Sequence, residues 1–176
     1  ATGAMEALGH VGHSSGAPVL AQQLSEGWTK DEVDWSQEQN RWRTALHALT
    51  RTGTRAQVPA VSEFLRKLTA TDTAQLSHTW PPLLADAIAT LASLAQDPSD
   101  VIDVVPLLAH RDTRVRANAF LTKLLHDPEG AKTHAEALMN DENPWVRLLA
   151  ARARGSEATS TLHRERKSIR LNSSRW

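Results

Sequence analysis

Two stretches of this chain repeat themselves at a fixed spacing, and that repetition narrows the folds open to it. Leu107, Val115, Arg116 and Ala119 recur thirty-one positions later as Leu138, Val146, Arg147 and Ala150, within the parallel segments LLAHRDTRVRANAF and LMNDENPWVRLLAA. Upstream, Ala7, Leu8, Gly12, Pro18 and Leu24 recur forty-one positions later as Ala48, Leu49, Gly53, Pro59 and Leu65. Helical periodicity that returns every thirty to forty residues or so marks an α-solenoid, because one helix pair cannot bury its apolar face alone and has to stack on a neighbour.

Composition fits that reading. Forty per cent of the residues are apolar, enough for a continuous core, while two Phe and no Tyr suit close helix packing better than a β-sandwich. The absence of cysteine excludes disulfides, thiolate zinc sites and a cysteine nucleophile. There is no apolar run of about eighteen residues and no basic-then-apolar leader, so neither a membrane span nor a signal peptide is expected, and the chain reads as cytoplasmic. The formal charge of zero conceals an asymmetry: His163–Trp176 holds five Lys or Arg against one Glu, leaving residues 1–162 with fifteen basic against nineteen acidic side chains. Residues 1–162 read as one elongated repeat domain. Residues 163–176 read as a basic tail, either a disordered or vector-derived end or a segment for an acidic partner.

Apolar spacing and stop signals place the helices. ATGAMEALGHVG reads as the inner helix of a pair whose outer helix is missing, so the chain is expected to be a piece of a longer array. A helix over Ser15–Ser25 follows, with Gly16 and Pro18 in its first turn. A polar connection over residues 26–40 precedes the helix WRTALHALTRT, whose Trp42, Ala45, Leu46 and Leu49 share one face. The next helix, Ala56–Leu68, has its stripe at Val58, Val61, Phe64, Leu65 and Leu68. Pro81 and Pro82 open another, which reaches Ala95 with Leu84, Ala87, Ile88 and Leu91 inward and Asp97-Pro98 as the turn. Helices are then expected at Asp100–His110, Arg114–His126, Glu129–Met139 and Trp145–Arg154, with Gly155 as a C-cap and a polar closing helix from Ser156.

The pattern of an apolar helix, an Asp-containing turn, Val-Arg, then Ala and Leu at helical spacing resembles the HEAT repeat, in the short bacterial form of the phycobilin lyases. The resemblance covers most of residues 2–154 and is clearest at 100–125 and 130–154; upstream the Val-Arg pair is replaced by Trp42-Arg43 and Leu84-Ala85. It implies a right-handed α-solenoid of stacked antiparallel HEAT-like helix pairs, used as a surface for another macromolecule. It also implies that Asp141 and Arg147 tie successive repeats together, with Arg116 as Arg147's counterpart. The preceding repeat departs from the pattern, with His110 where Asp141 stands and Asp112 two residues on.

Tryptophan is the second unusual feature: six in a chain with only two other aromatic residues. Trp28, Trp35 and Trp80 fall in the two long connections, which emerge along one edge of a regular stack. They are therefore either interface anchors or pins that hold the loops to the core. Trp42 and Trp145, each opening an inner helix, are expected in the core. Arg114, Arg152 and Arg154 on inner helices would enrich the concave face in positive charge.

Nothing in the sequence points to catalysis, a metal or a cofactor. The closest histidine pair, His10 and His13, has no carboxylate beside it, whereas metal sites need three or four converging ligands. Deoxyhypusine hydroxylase, a HEAT-type enzyme, carries His-Glu iron-binding dipeptides; no His here precedes Glu. No Gly-rich phosphate loop is present. The sequence therefore reads as a noncatalytic scaffold or protein-interaction module, its partner another protein or other domains of a parent chain, with Trp28, Trp35, Trp80, Arg114, Arg152 and Arg154 as contact residues. The alternative is a nucleic-acid-binding domain similar to AlkD-type DNA glycosylases, suggested by Trp near Arg in NRWRTAL and NPWVRLLAARAR. The acidic balance of residues 1–162 opposes a strong phosphate-binding field.

Overall fold

The computed structural model describes residues 14–26, 28, 35–71 and 80–155. Among them are seven α-helices and no strand: α1 (Ala17–Glu26), α2 (Trp35–Thr52), α3 (Val58–Ala70), α4 (Trp80–Leu94), α5 (Thr113–His126), α6 (Pro128–Leu138) and α7 (Pro144–Arg154). No helix among the described residues is long and apolar enough to cross a membrane. The expected helix over ATGAMEALGHVG, the pair His10 and His13, the closing helix from Ser156 and the basic tail 163–176 lie outside the described residues. The chain divides into two compact units, Ala1–Ala95 and Gln96–Trp176.

In the first unit, α1 packs on α2 and α3, and α4 packs on the same two helices. The stripes foreseen on α2, α3 and α4 are buried, from Trp42, Ala45, Leu46 and Leu49 through Phe64 and Leu65 to Ile88 and Leu91. Fully burying such a side chain contributes about 1.5–3 kcal/mol, so the stripes outweigh the modest helix propensity of the Thr and Val in these helices. The forty-one-residue register survives as local structure. Single 3-10 turns at Ser14–Gly16 and Arg55–Gln57 each run directly into a helix, α1 at Ala17 and α3 at Val58, with Pro18 and Pro59 in the first turn. Ala17, Leu20 and Leu24 are buried, as are their counterparts Val58, Val61 and Leu65. Gly53 closes α2 with its N–H on Leu49 O at 2.7 Å; an added Cβ would meet that oxygen at 2.6 Å and Leu94 Cδ2 at 2.9 Å, so the tight exit requires glycine.

Helix α2 starts at Trp35, seven residues before the apolar stripe that marked it in the sequence. The added turns are polar and are held by tertiary bonds. Arg41 Nε donates to Gln23 Oε1 at 2.6 Å, its Nη2 donates to Glu26 Oε2 at 2.8 Å, and Glu38 in the first turn favours the helix dipole. Helix α4 likewise begins at Trp80 rather than after it, with Pro81 and Pro82 supplying first-turn residues that have no amide proton to satisfy.

In the second unit the expected helix Asp100–His110 does not form. Its place is taken by 3-10 turns at Pro98–Asp100 and Val105–Ala109. Pro106 removes an amide proton where a helix interior needs one, and the β-branched run Val101, Ile102, Val104 and Val105 lowers helix propensity. Asp103 Oδ1 accepts from Val105 N at 3.0 Å, which stabilises a turn instead. Asp127 both ends α5 and opens α6: its N–H reaches Lys123 O at 2.7 Å and its carboxylate accepts from Gly130 N at 2.9 Å. Helices α5, α6 and α7 pack on one another, and the 105–109 turn packs on α5. Phe120, Leu124, Leu138, Val146 and Leu149 lie in one core with Val104 and Leu108. Gly155 caps α7 as expected through its N–H to Ala151 O at 3.2 Å, but in extended backbone (φ −85°), not in a left-handed cap. Trp145, expected in the core, is 41% exposed: at the first turn of α7 the core-facing position belongs to Val146.

Candidate functional site

Each unit holds one concentration of unusual side chains. In the first, four of the six tryptophans converge. The Trp28 ring stacks on Trp42 at 5.0 Å (16° between planes) and meets Trp35, Phe64 and Trp80 edge-on at 6.2, 5.9 and 6.2 Å. Trp35 also lies 6.1 Å from Trp42 and 6.2 Å from Trp80. Aromatic pairs of this kind contribute about 0.5–1.5 kcal/mol each beyond area burial. The indole N–H groups of Trp28, Trp42 and Trp80 are buried and reach no acceptor among the described residues, which offsets part of that gain.

The sequence placed Trp28, Trp35 and Trp80 on one edge, and the structure does bring them together, but as a packed cluster. Trp80 is 1% exposed, so in this state its ring offers no surface for a partner; Trp28 is partly buried and Trp35 is 37% exposed. Trp42 and Phe64 join them, which nothing in the sequence signals. Those two lie on stripes already explained as core, and only the helix packing shows that the stripes end at the long-connection indoles. Close by in sequence, Arg43 Nε donates to Asp86 Oδ2 at 2.9 Å, tying α2 to α4.

In the second unit the sequence repeat becomes a repeat of hydrogen bonds. Arg116 Nη1 donates to its own turn, to His110 O at 2.8 Å and Arg111 O at 3.0 Å. Thirty-one residues on, Arg147 Nη1 donates to Asp141 O at 2.8 Å and Glu142 O at 3.0 Å. Asp112 caps α5 by accepting from Arg114 N at 2.9 Å, and Asn143 caps α7 by accepting from Trp145 N at 2.9 Å. His110, which departs from the Asp of the pattern, performs the same bond: its Nδ1 accepts from Asp112 N at 3.0 Å, as Asp141 Oδ1 accepts from Asn143 N at 2.8 Å. An unprotonated ring nitrogen and a carboxylate oxygen are both acceptors at the same reach, so the change of residue preserves the turn.

The remaining donors of Arg116 reach forward. Nε and Nη2 grip Asp141 at 2.8 and 2.9 Å, and Nη2 also meets Glu142 Oε1 at 3.0 Å. The Arg116 and Asp141 side chains are only 9% and 6% exposed. The Arg116 hydrogen bonds hold the Asp141 carboxyl below the usual carboxylate range against the opposing effect of burial, and Asp141 in turn raises Arg116. Burial lowers His110, with Arg111 and Arg116 adding to the effect and Asp112 opposing it. Burial acts to raise Asp112, but its hydrogen bonds to Arg114 outweigh that and lower it.

Arg114, expected on a concave face, is paired with its own cap residue, Nη2 to Asp112 Oδ2 at 3.0 Å. Arg152 and Arg154 occupy the last turn of α7, where positive charge favours the helix dipole. Among the described residues no three His, Asp or Glu side chains are grouped so as to hold a metal ion. No protein-family model, curated protein or solved structure matches this chain.

Proposed function

We propose that this protein is a noncatalytic interaction module, a HEAT-like right-handed α-solenoid of stacked antiparallel helix pairs that presents a fixed helical surface to another protein. The observation that supports this reading most is the turn repeated at thirty-one residues, with the same cap, the same acceptor two residues before it and the same arginine folding back on its own carbonyls. A unit that recurs with its packing bonds intact is suited to stacking. Within the first unit, the pairing of α1 with α2 and α3, and of α4 with the same two, fits two layers of such pairs. Preorganised helices limit the ordering entropy lost on binding, and Trp35 and Trp145 are exposed aromatic residues of the type enriched in interface anchors.

The test is photo-crosslinking in cells, with a benzophenone amino acid placed at Trp35 or at Trp145. The reading expects a discrete protein adduct from at least one of the two positions. Adducts to nucleic acid alone, together with retention on duplex DNA that falls steeply with salt and survives deletion of residues 163–176, would overturn it in favour of the nucleic-acid alternative.

A further inference from the structure

The partner's chemistry can be read from the molecule itself, because α5 and α7 are covered differently. One face is buried in both helices: Val115, Ala119 and Thr122 of α5 correspond at thirty-one residues to Val146, Ala150 and Ala153 of α7, and all six are buried. A second face is buried only in α5. Arg116, Ala117, Phe120 and Leu124 are buried there, whereas their counterparts Arg147, Leu148, Ala151 and Gly155 are all exposed, Leu148 at 43%. Trp145, 41% exposed, extends that apolar strip by one turn.

What covers the α5 face is visible. Ala117, Phe120 and Leu124 share a core with Ala135 and Leu138 of α6 and Val146 and Leu149 of α7, while the turn between those helices gives Asp141 and Glu142 to Arg116. The complement is therefore a helical hairpin with small and aliphatic inward residues and a carboxylate in its turn. Arg147 is set to receive the same carboxylate. Its Nη1 is already folded onto its own turn in the Arg116 manner, and its Nε and Nη2 bond to nothing among the described residues. Charge agrees: α7 carries three Arg and no acidic residue.

We propose that the exposed face of α7, centred on Arg147, Leu148 and Trp145, is a docking surface for a helical hairpin of a partner chain whose turn presents an Asp or Glu to Arg147. This rests on the module reading and names the site and the partner's chemistry. A second copy of this protein is a poorer occupant, since its own Asp141 is held by its own Arg116.

The absence of cysteine from the chain makes the test direct. Leu148→Cys introduces a single thiol on the face, and the probe is a second copy of Leu125–Gly155 inserted after Gly155 in the full chain, which keeps the thirty-one-residue register. The expected results are a gain in helical circular dichroism and a thiol that reacts with a water-soluble disulfide reagent about tenfold more slowly than in the uninserted chain. Arg147→Met, or Asp→Asn at the inserted copy of Asp141, should restore the fast reaction. An unchanged thiol rate overturns the proposal, as does an insert that gains no helix, because the face would then have failed to accept its complement. Either failure leaves the cross-linking test of the module reading standing, since capture through Trp35 does not involve this face.

Discussion

Helices α5 and α7 start with the same cap geometry and the same arginine, yet one is enclosed on two faces and the other on one. The difference shows which parts of the pattern are local and which depend on a neighbour. The cap, the acceptor two residues before it and the Nη1 bonds of the arginine are made within each turn and survive in both. The carboxylate grip of Arg116 and the burial of Ala117, Phe120 and Leu124 require the following hairpin, and among the described residues α7 has neither.

Breaking the enclosed side should cost most. Phe120→Ala is expected to lose about 3–5 kcal/mol in denaturant unfolding, whereas Leu148→Ala on the corresponding open face should lose under about 1 kcal/mol. Arg116→Met leaves Asp141 buried without its cation and should cost about 3 kcal/mol or more, while Arg147→Met, exposed and bonded among the described residues to the carbonyls of its own turn, should stay within about 1 kcal/mol. Equal losses within either pair would erase the distinction between the two helices.

The local parts should respond alike. Asp112→Ala and Asn143→Ala each remove a cap bond, Asp112→Ala also the half-exposed pair with Arg114, and each is expected to cost about 1 kcal/mol by the same unfolding measurement. A large cost at only one of them would mean that the turns are alike in form but not in energy.

The smallest effect expected comes from the one chemical difference between the turns. His110 is lowered by burial, so the folded state disfavours its protonation; its contribution is complete above the unfolded value of about 6.5 and declines as pH falls through 6.5 toward the lower folded value. Asp141 is lowered by Arg116, so its contribution holds at those pH values and is lost only as pH falls below the ordinary carboxylate range. His110→Asn keeps an acceptor without the titration. Denaturant midpoints between pH 7.5 and 5.5 should therefore fall less for this variant than for the parent chain, and parallel curves would rule out His110 as the source.

Much of the helical content was legible because Val58, Val61, Phe64, Leu65 and Leu68, or Leu84, Ala87, Ile88 and Leu91, mark one face at helical spacing. The first turns of α2 were not, since Trp35–Arg41 has no apolar stripe and relies on Arg41 reaching Gln23 and Glu26 across the fold. Residues 100–110 read as a helix because VIDVVPLLA is apolar, and periodicity alone does not weigh Pro106 or the Asp103 turn. The repeat marks Asp141, Arg147 and its counterpart Arg116, but not which arginine takes the Asp141 carboxylate: Arg116 grips it, whereas Arg147 folds onto the carbonyls of Asp141 and Glu142. The equivalence of His110 to Asp141 is hidden, because sequence compares residue names whereas the turn asks only for an acceptor. Trp145 reads as core from sequence because it is a large aromatic residue opening an inner helix, whereas the inward position there is Val146.

A double-mutant cycle on Arg116 and Asp141 tests most directly that successive turns are joined by this pair. Arg116→Met, Asp141→Asn and the double variant would be compared with the parent chain by denaturant unfolding. A coupling energy of about 1–3 kcal/mol is predicted, with the double variant little worse than the poorer single one. Losses that add to within about 0.5 kcal/mol would mean that the two side chains lie together without holding the turns together, and would contradict it.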